Sequence, residues 1–150
     1  MIIIADSSCL ISLHNTHHLD LLQLVFGKIT ITKEVANEFH LSTPQWITVV
    51  EISNRQLFDN LNSFLGEGEA SSIALAVENP GSLLILDELE GRKAAKKYSL
   101  QVTGTIGIIG RAKQLGLIDF VKPIITELKT AGFRISEELE IDFLKQNNEL

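Results

Sequence analysis

Two short, unbroken apolar runs constrain this chain most: "IIIA" at residues 2–5 and "LLIL" at 83–86. Neither shows the in–out alternation of a strand with one wet face, and both are bounded like strands. Strands buried on both faces read this way, and they belong to mostly parallel sheets covered by helices. The rest of the sequence fits that frame. "KITIT", "WITVVEI" after Pro44, and "LQVT" read as further strands. Between them lie helical segments: "SSCLISLHN", "HLDLLQLVF", "KEVANEF" with Thr32 as N-cap, "RQLFDNLNSFL", "GEASSIALAVEN", "ELEGRKAAKKY", and "TIGIIGRAKQLG" closing at Gly116. Two more helices are expected around 120–131 and 136–147. The fold class is therefore α/β.

A length of 150 residues suits one domain spanning 1–150, and 45% apolar content supplies its core. No segment approaches the roughly 18 apolar residues of a membrane helix. The apolar N-terminus is short and has no basic region before it, so a cytoplasmic location is expected. Cys9 is the single cysteine, which excludes an internal disulfide and a thiolate metal site and suits a small buried hydrophobe. The net charge of −6 argues against a general polyanion binder with a basic surface. It leaves room for a nucleic-acid enzyme whose metal ligands are carboxylates.

Both apolar runs end on an acid, Asp6 and Asp87. In open α/β sheets, ligands bind beyond the carboxyl ends of the strands. Either aspartate alone would read as an N-cap; the pair points to a site. Glu69 shares a helix face with Ile73 and Ala76, so it continues an apolar stripe where an unpaired charge is costly. Glu67 falls on the solvated side. Glu38, beside Phe39, borders the inward face of "KEVANEF", whereas Glu34 suits the helix start. Four carboxylates from four elements aimed at one crevice are best explained by a bound cation. All-oxygen donors suit Mg²⁺ or Mn²⁺, and such an ion serves phosphodiester hydrolysis.

The order of "IIIADSS", "VANE", "GEGEASSIALA" and "LLILDELEGRKAAKKYSLQVTGTIGII" resembles the PIN-domain family over nearly the whole chain, and most closely its VapC-like toxin branch. The resemblance implies a three-layer α/β/α sandwich with a mostly parallel central sheet and a metal-dependent endoribonuclease, the toxin of a toxin–antitoxin pair. Carried over by position, the family's acids fall on Asp6, Glu38, Glu69 and Asp87, as catalytic and metal-binding residues. Its opening Ser/Thr matches Ser7 or Ser8. Leu86 departs from the pattern, standing where many members carry Thr or Ser, and the sequence does not choose between Glu88 and Glu90 as a fifth acid. A small antitoxin partner and a homodimer are implied as well, with "LISL" and "LDLLQLVF" available for an interface or for the core.

The densest basic stretch is "GRKAAKKY", with Arg92, Lys93, Lys96 and Lys97 following Asp87. These residues, with Ser7 and Thr105, are candidates for contact with RNA phosphates. "VTGTIG" places Thr105 at a helix start whose N–H groups could receive a phosphate. The four histidines have no zinc-like spacing and read as structural or surface residues; Trp46 reads as core. A phosphotransfer receiver needs paired acids after its first strand, and a haloacid-dehalogenase-type phosphatase needs Asp-x-Asp there. "ADSSCL" offers one acid and disfavours both. The alternatives left are a non-catalytic interaction module of the same fold and a DNA-directed nuclease.

Overall fold

The computed structural model describes residues 1–150. Five strands and nine helices follow one another along the chain. Strand β1 is Ile3–Ala5, followed by α1 (Ser7–Asn15) and α2 (Asp20–Phe26); β2 (Ile29–Thr32) leads into α3 (Lys33–Phe39). Strand β3 (Ile47–Val50) precedes α4 (Arg55–Asn62) and α5 (Glu67–Glu78). Strand β4 (Leu83–Ile85) precedes α6 (Leu89–Lys97), and β5 (Gln101–Thr103) precedes α7 (Thr105–Gln114), α8 (Lys122–Thr130) and α9 (Glu137–Gln146). Every segment read from the sequence is found, with ends shifted by a few residues. The expected cap on α3 is present: Val35 N–H donates to Thr32 Oγ1 at 3.0 Å. Helix α7 stops where Gly116 turns the chain at φ +76°.

The sheet is entirely parallel, in the order β3-β2-β1-β4-β5. Its two central strands, β1 and β4, are the apolar runs singled out above. They pair as Ile3↔Leu83, Ile4↔Leu84 and Ala5↔Ile85. Side-chain alternation divides them between two cores. Ile4, Leu84 and Leu86 face α4, α5 and α6. Ile3, Ala5 and Ile85 face the other way, with buried residues of α1, α2, α3 and α7. Helices thus cover both faces, giving a three-layer α/β/α sandwich. A third cluster joins α7, α8 and α9 through Ile109, Ile125, Leu128 and Phe143, and attaches them through Leu21. The apolar segments of α1 and α2 are spent mainly on packing: Leu10, Leu13, Leu21 and Leu22 are buried, leaving Ile11 and Leu24 exposed. Trp46 is half-buried against the second cluster. No helix is long and apolar enough to cross a membrane.

The register sets the rim. The ladder runs one residue past the strands, as Asp6 N–H donates to Ile85 O at 3.1 Å and Leu86 N–H to Thr103 O at 2.9 Å. Asp6 and Asp87 therefore leave adjacent strands at the same edge. The N-termini of α1, α6 and α7 start there too, and their partial positive ends favour acids at this edge.

Candidate active site

Asp6 occupies the N-cap position of α1, yet its side chain makes no capping hydrogen bond. It is 2% exposed, and its Oδ1 has no hydrogen-bond partner. A capping role therefore does not explain it, and an unpaired buried carboxylate is costly. Its pKa is pushed up to about 7, first by burial and then by the charges of Glu69, Glu38 and Asp87, against a lowering contact with the Ser7 N–H. The other three sequence-predicted acids thus all act on Asp6.

Glu38 reaches the site from α3. Its side chain is otherwise exposed, but Ser7 Oγ donates to its Oε1 at 2.7 Å. Glu34, one turn earlier, pairs outward with Arg55 at 2.8 Å. Glu69 comes from the first turn of α5, with Ile73 and Ala76 buried below it and Glu67 in solvent. Its Oε2 is also buried without a partner. Burial raises the Glu69 pKa first and the Glu88 charge next, with Glu38 adding to it and the Gly66 backbone opposing. Of the two acids between which the sequence did not choose, Glu88 acts on Glu69, whereas Glu90 lies 3.6 Å from Lys93.

Asp87 is held differently. Thr105 donates to it twice, N–H to Oδ1 at 2.8 Å and Oγ1 to Oδ2 at 2.6 Å. The donors expected to be open for a phosphate are thus given to a carboxylate of the protein. Cys9 is buried beside this pair, and burial pushes its thiol well above the ordinary range. Arg92 Nε donates to Leu86 O at 2.8 Å, which brings its guanidinium to the rim. Lys93 is exposed, and Lys96 and Lys97 lie in the last turn of α6, away from the carboxylate edge. The structure thus groups Asp6, Ser7, Glu38, Glu69, Asp87, Arg92 and Thr105, and separates Lys96 and Lys97 from them. His14 packs edge-on against Phe39, and His18 pairs with Glu127 at 2.7 Å.

Three glycines make room for the acids: Gly104, read from the sequence only as part of a strand-to-helix turn, and Gly68 and Gly91, which sequence reasoning passed over. A Cβ on Gly68 would overlap Glu38 Oε1 and lie 3.0 Å from Asp6 Oδ1. One on Gly91 would meet Glu69 Oε2 at 2.5 Å. One on Gly104 would meet Arg92 Nη2 at 2.5 Å and Asp87 Oδ1 at 2.8 Å. Their only sequence signal is position, each within three residues of a helix start at the rim.

As they stand, no three His, Cys, Asp or Glu side chains share one coordination point. The donor set nonetheless fits a hard divalent cation. It is all oxygen, two of its buried oxygens have no partner, and burial and the neighbouring charges raise the proton affinity of Asp6 and Glu69. A family model described as a PIN domain matches residues 2–149. No curated protein and no solved structure matches the chain.

Proposed function

Since the chain belongs to the PIN-domain family, whose members are generally divalent-metal nucleases, we propose that it is a Mg²⁺- or Mn²⁺-dependent endoribonuclease with Asp6, Glu38, Glu69 and Asp87 as its metal-binding and catalytic carboxylates. The observation that carries this reading is Asp6: a buried aspartate at a helix start that caps nothing, with an unpartnered oxygen among three other acids. In the same reading Glu88 is the fifth acid.

When bound, the ion would supply an activated water and neutralise charge on the phosphoryl group. The chain's own residues supply the rest. Ser7 fixes the Glu38 carboxylate through its hydroxyl. Thr105 holds both oxygens of Asp87, leaving each with further lone pairs to offer. Arg92, tethered to the Leu86 carbonyl, sets a positive charge beside Asp87 for the substrate phosphate. Buried apolar residues beneath the rim keep solvent from the inner face of Asp6.

The test is cleavage of labelled single-stranded RNA and of DNA of the same sequence, in Mn²⁺, in Mg²⁺ and in EDTA. Metal-dependent RNA cleavage that Asp6→Asn and Asp87→Asn abolish supports the reading. Full activity in either variant refutes that residue's assignment, and preference for DNA makes the enzyme a DNA nuclease.

The reading extends to a toxin restrained by a small antitoxin. The open acidic rim offers such a partner a place for a bidentate Arg contact. A homodimer would draw on exposed Leu24 of α2. Expression alone should slow growth, Asp6→Asn should not, and co-expression of the adjacent small gene should restore it. A harmless wild-type protein refutes the toxin role, and a monomer by light scattering refutes the dimer.

A further inference from the structure

Beyond the carboxylates, a cleft of about 380 Å³ runs from Asp87 and Glu88 between α1 and the α8–α9 loop. It lies at the small end of ligand sites, which span roughly 300–1,000 Å³. One wall is the polar side of α1, where Ser12 and Asn15 stand one turn apart. Ser12 is engaged through its carbonyl, which accepts from Thr16 Oγ1 at 2.9 Å. The facing wall carries Phe133 and Arg134.

A local closure sets the path of that wall. Helix α8 ends in a paired closure: Phe133 N–H donates to Leu128 O at 2.9 Å, and Gly132 N–H to Lys129 O at 3.1 Å. Gly132 takes the φ of +104° that this closure requires. Phe133 then packs onto the third core cluster. Arg134 follows directly, exposed, and none of the six ion pairs in the molecule includes it. An exposed, unpaired guanidinium thus lines the same cleft as two carboxylates, in a chain of net charge −6.

We propose that this cleft seats the nucleotide next to the scissile phosphate of a single-stranded RNA. Arg134 grips the flanking phosphodiester, and Ser12 and Asn15 hydrogen-bond the nucleotide from the opposite wall. A guanidinium matches two phosphate oxygens at once. Lone cations of this kind are how an acidic protein can hold a polyanion in one register. Arg134 is a positioning residue in this account, and the account rests on the nuclease reading above for the place of the scissile phosphate.

The test separates the two. Binding of a labelled single-stranded RNA to the Asp6→Asn protein in Mg²⁺ is measured against salt, with and without Arg134→Ala. Affinity should fall about tenfold or more. The slope of log affinity against log salt should shrink by about 0.7, the single-strand value for one phosphate contact. Arg134→Lys should restore the slope but only part of the affinity. In the cleaving protein, Arg134→Ala should raise KM with kcat little changed. An unchanged affinity and slope overturn the cleft assignment whether or not the protein cleaves RNA, and so does an absence of RNA binding at low salt. Arg134-dependent binding in a protein that cleaves no nucleic acid keeps the cleft and overturns the nuclease reading. An unchanged melting temperature in Arg134→Ala excludes misfolding as the cause.

Discussion

Asp6→Asn should stabilise the fold at neutral pH and inactivate it as a nuclease. In the folded protein the Asp6 carboxyl holds its proton up to about pH 7, against 3.8 in an open chain. Between those values the unfolded state has released a proton that the folded state keeps, so stability falls as pH rises through this window. Above pH 7 the full penalty is present; below about pH 4 it vanishes. At about 1.4 kcal/mol per pH unit, the displacement corresponds to about 4 kcal/mol as an upper bound. Asparagine has no charge to desolvate, and Oδ1 of Asp6 has no hydrogen bond to lose. For a domain of this length, about 2–4 °C per kcal/mol makes the gain roughly 10 °C at pH 8. The assay is thermal unfolding of both proteins from pH 4 to 8.5 in EDTA. Glu69 shifts in the same sense and Glu149, held down by Lys113 and the Val121 and Lys122 N–H groups against burial, in the opposite one. The difference between the two curves isolates Asp6. It should be near zero at pH 4 and open towards pH 7. A constant offset, or a variant less stable at pH 8, would refute the claim that charge repulsion and burial dominate at Asp6.

Gly68→Ala should leave the melting temperature unchanged or slightly raised, because the overlapping atom ends a flexible glutamate and alanine favours helix. Cleavage should nonetheless drop about 10- to 100-fold as Glu38 is displaced, so wild-type activity would show that Glu38 is dispensable. Thr105→Val keeps one of two bonds to Asp87 and should lower activity by a similar factor, with a melting temperature a few degrees lower; a rate within twofold of wild type counts against Asp87 positioning. Mn²⁺ should raise the wild-type melting temperature, by an amount equivalent to about 2.7 kcal/mol at a hundred times Kd, and an equal rise in the quadruple Asp6, Glu38, Glu69 and Asp87 carboxamide variant would locate the metal elsewhere. Charge reversal of Lys96 and Lys97, which lie at the far end of α6 from the carboxylates, should leave RNA binding and its salt slope unchanged; a flatter slope would bring that end of the helix into the path of the substrate.

Elements and layers were legible because their signals are local. The runs 2–5 and 83–86 could only be two-sided strands, and Thr32 could cap only one helix. Asp6, Asp87 and Glu69 were legible for a related reason, since strand ends and helix stripes place them without knowledge of distant contacts. What stayed hidden depends on pairs far apart in sequence. Thr105 lies 18 residues from Asp87, and nothing local says that its N–H and hydroxyl serve a carboxylate and not a phosphate. Gly68 is needed because α3 delivers Glu38 against it. That Glu88 acts on Glu69 depends on the approach of α5, which no local signal reveals. Arg134 gave no sequence signal at all, because its place depends on how the α8 closure meets α1.

The strand order has a consequence for how the chain is made. Strand β1 is translated first and ends at the centre of the sheet, but its second neighbour, β4, begins at Leu83. Until then the nascent chain holds β3, β2 and β1 with one edge of β1 bare. Asp87 and its anchor Thr105 emerge later still. All four carboxylates are present once residue 87 has been added, but Asp87 lacks its anchor until Thr105 follows, so the proposed site cannot assemble on the emerging chain before then. The same delay leaves an apolar edge unpaired through the first half of synthesis, at elongation rates of about 5–20 residues per second. The order that postpones assembly of the site thus also leaves the growing chain with a bare strand edge open to pairing with another chain.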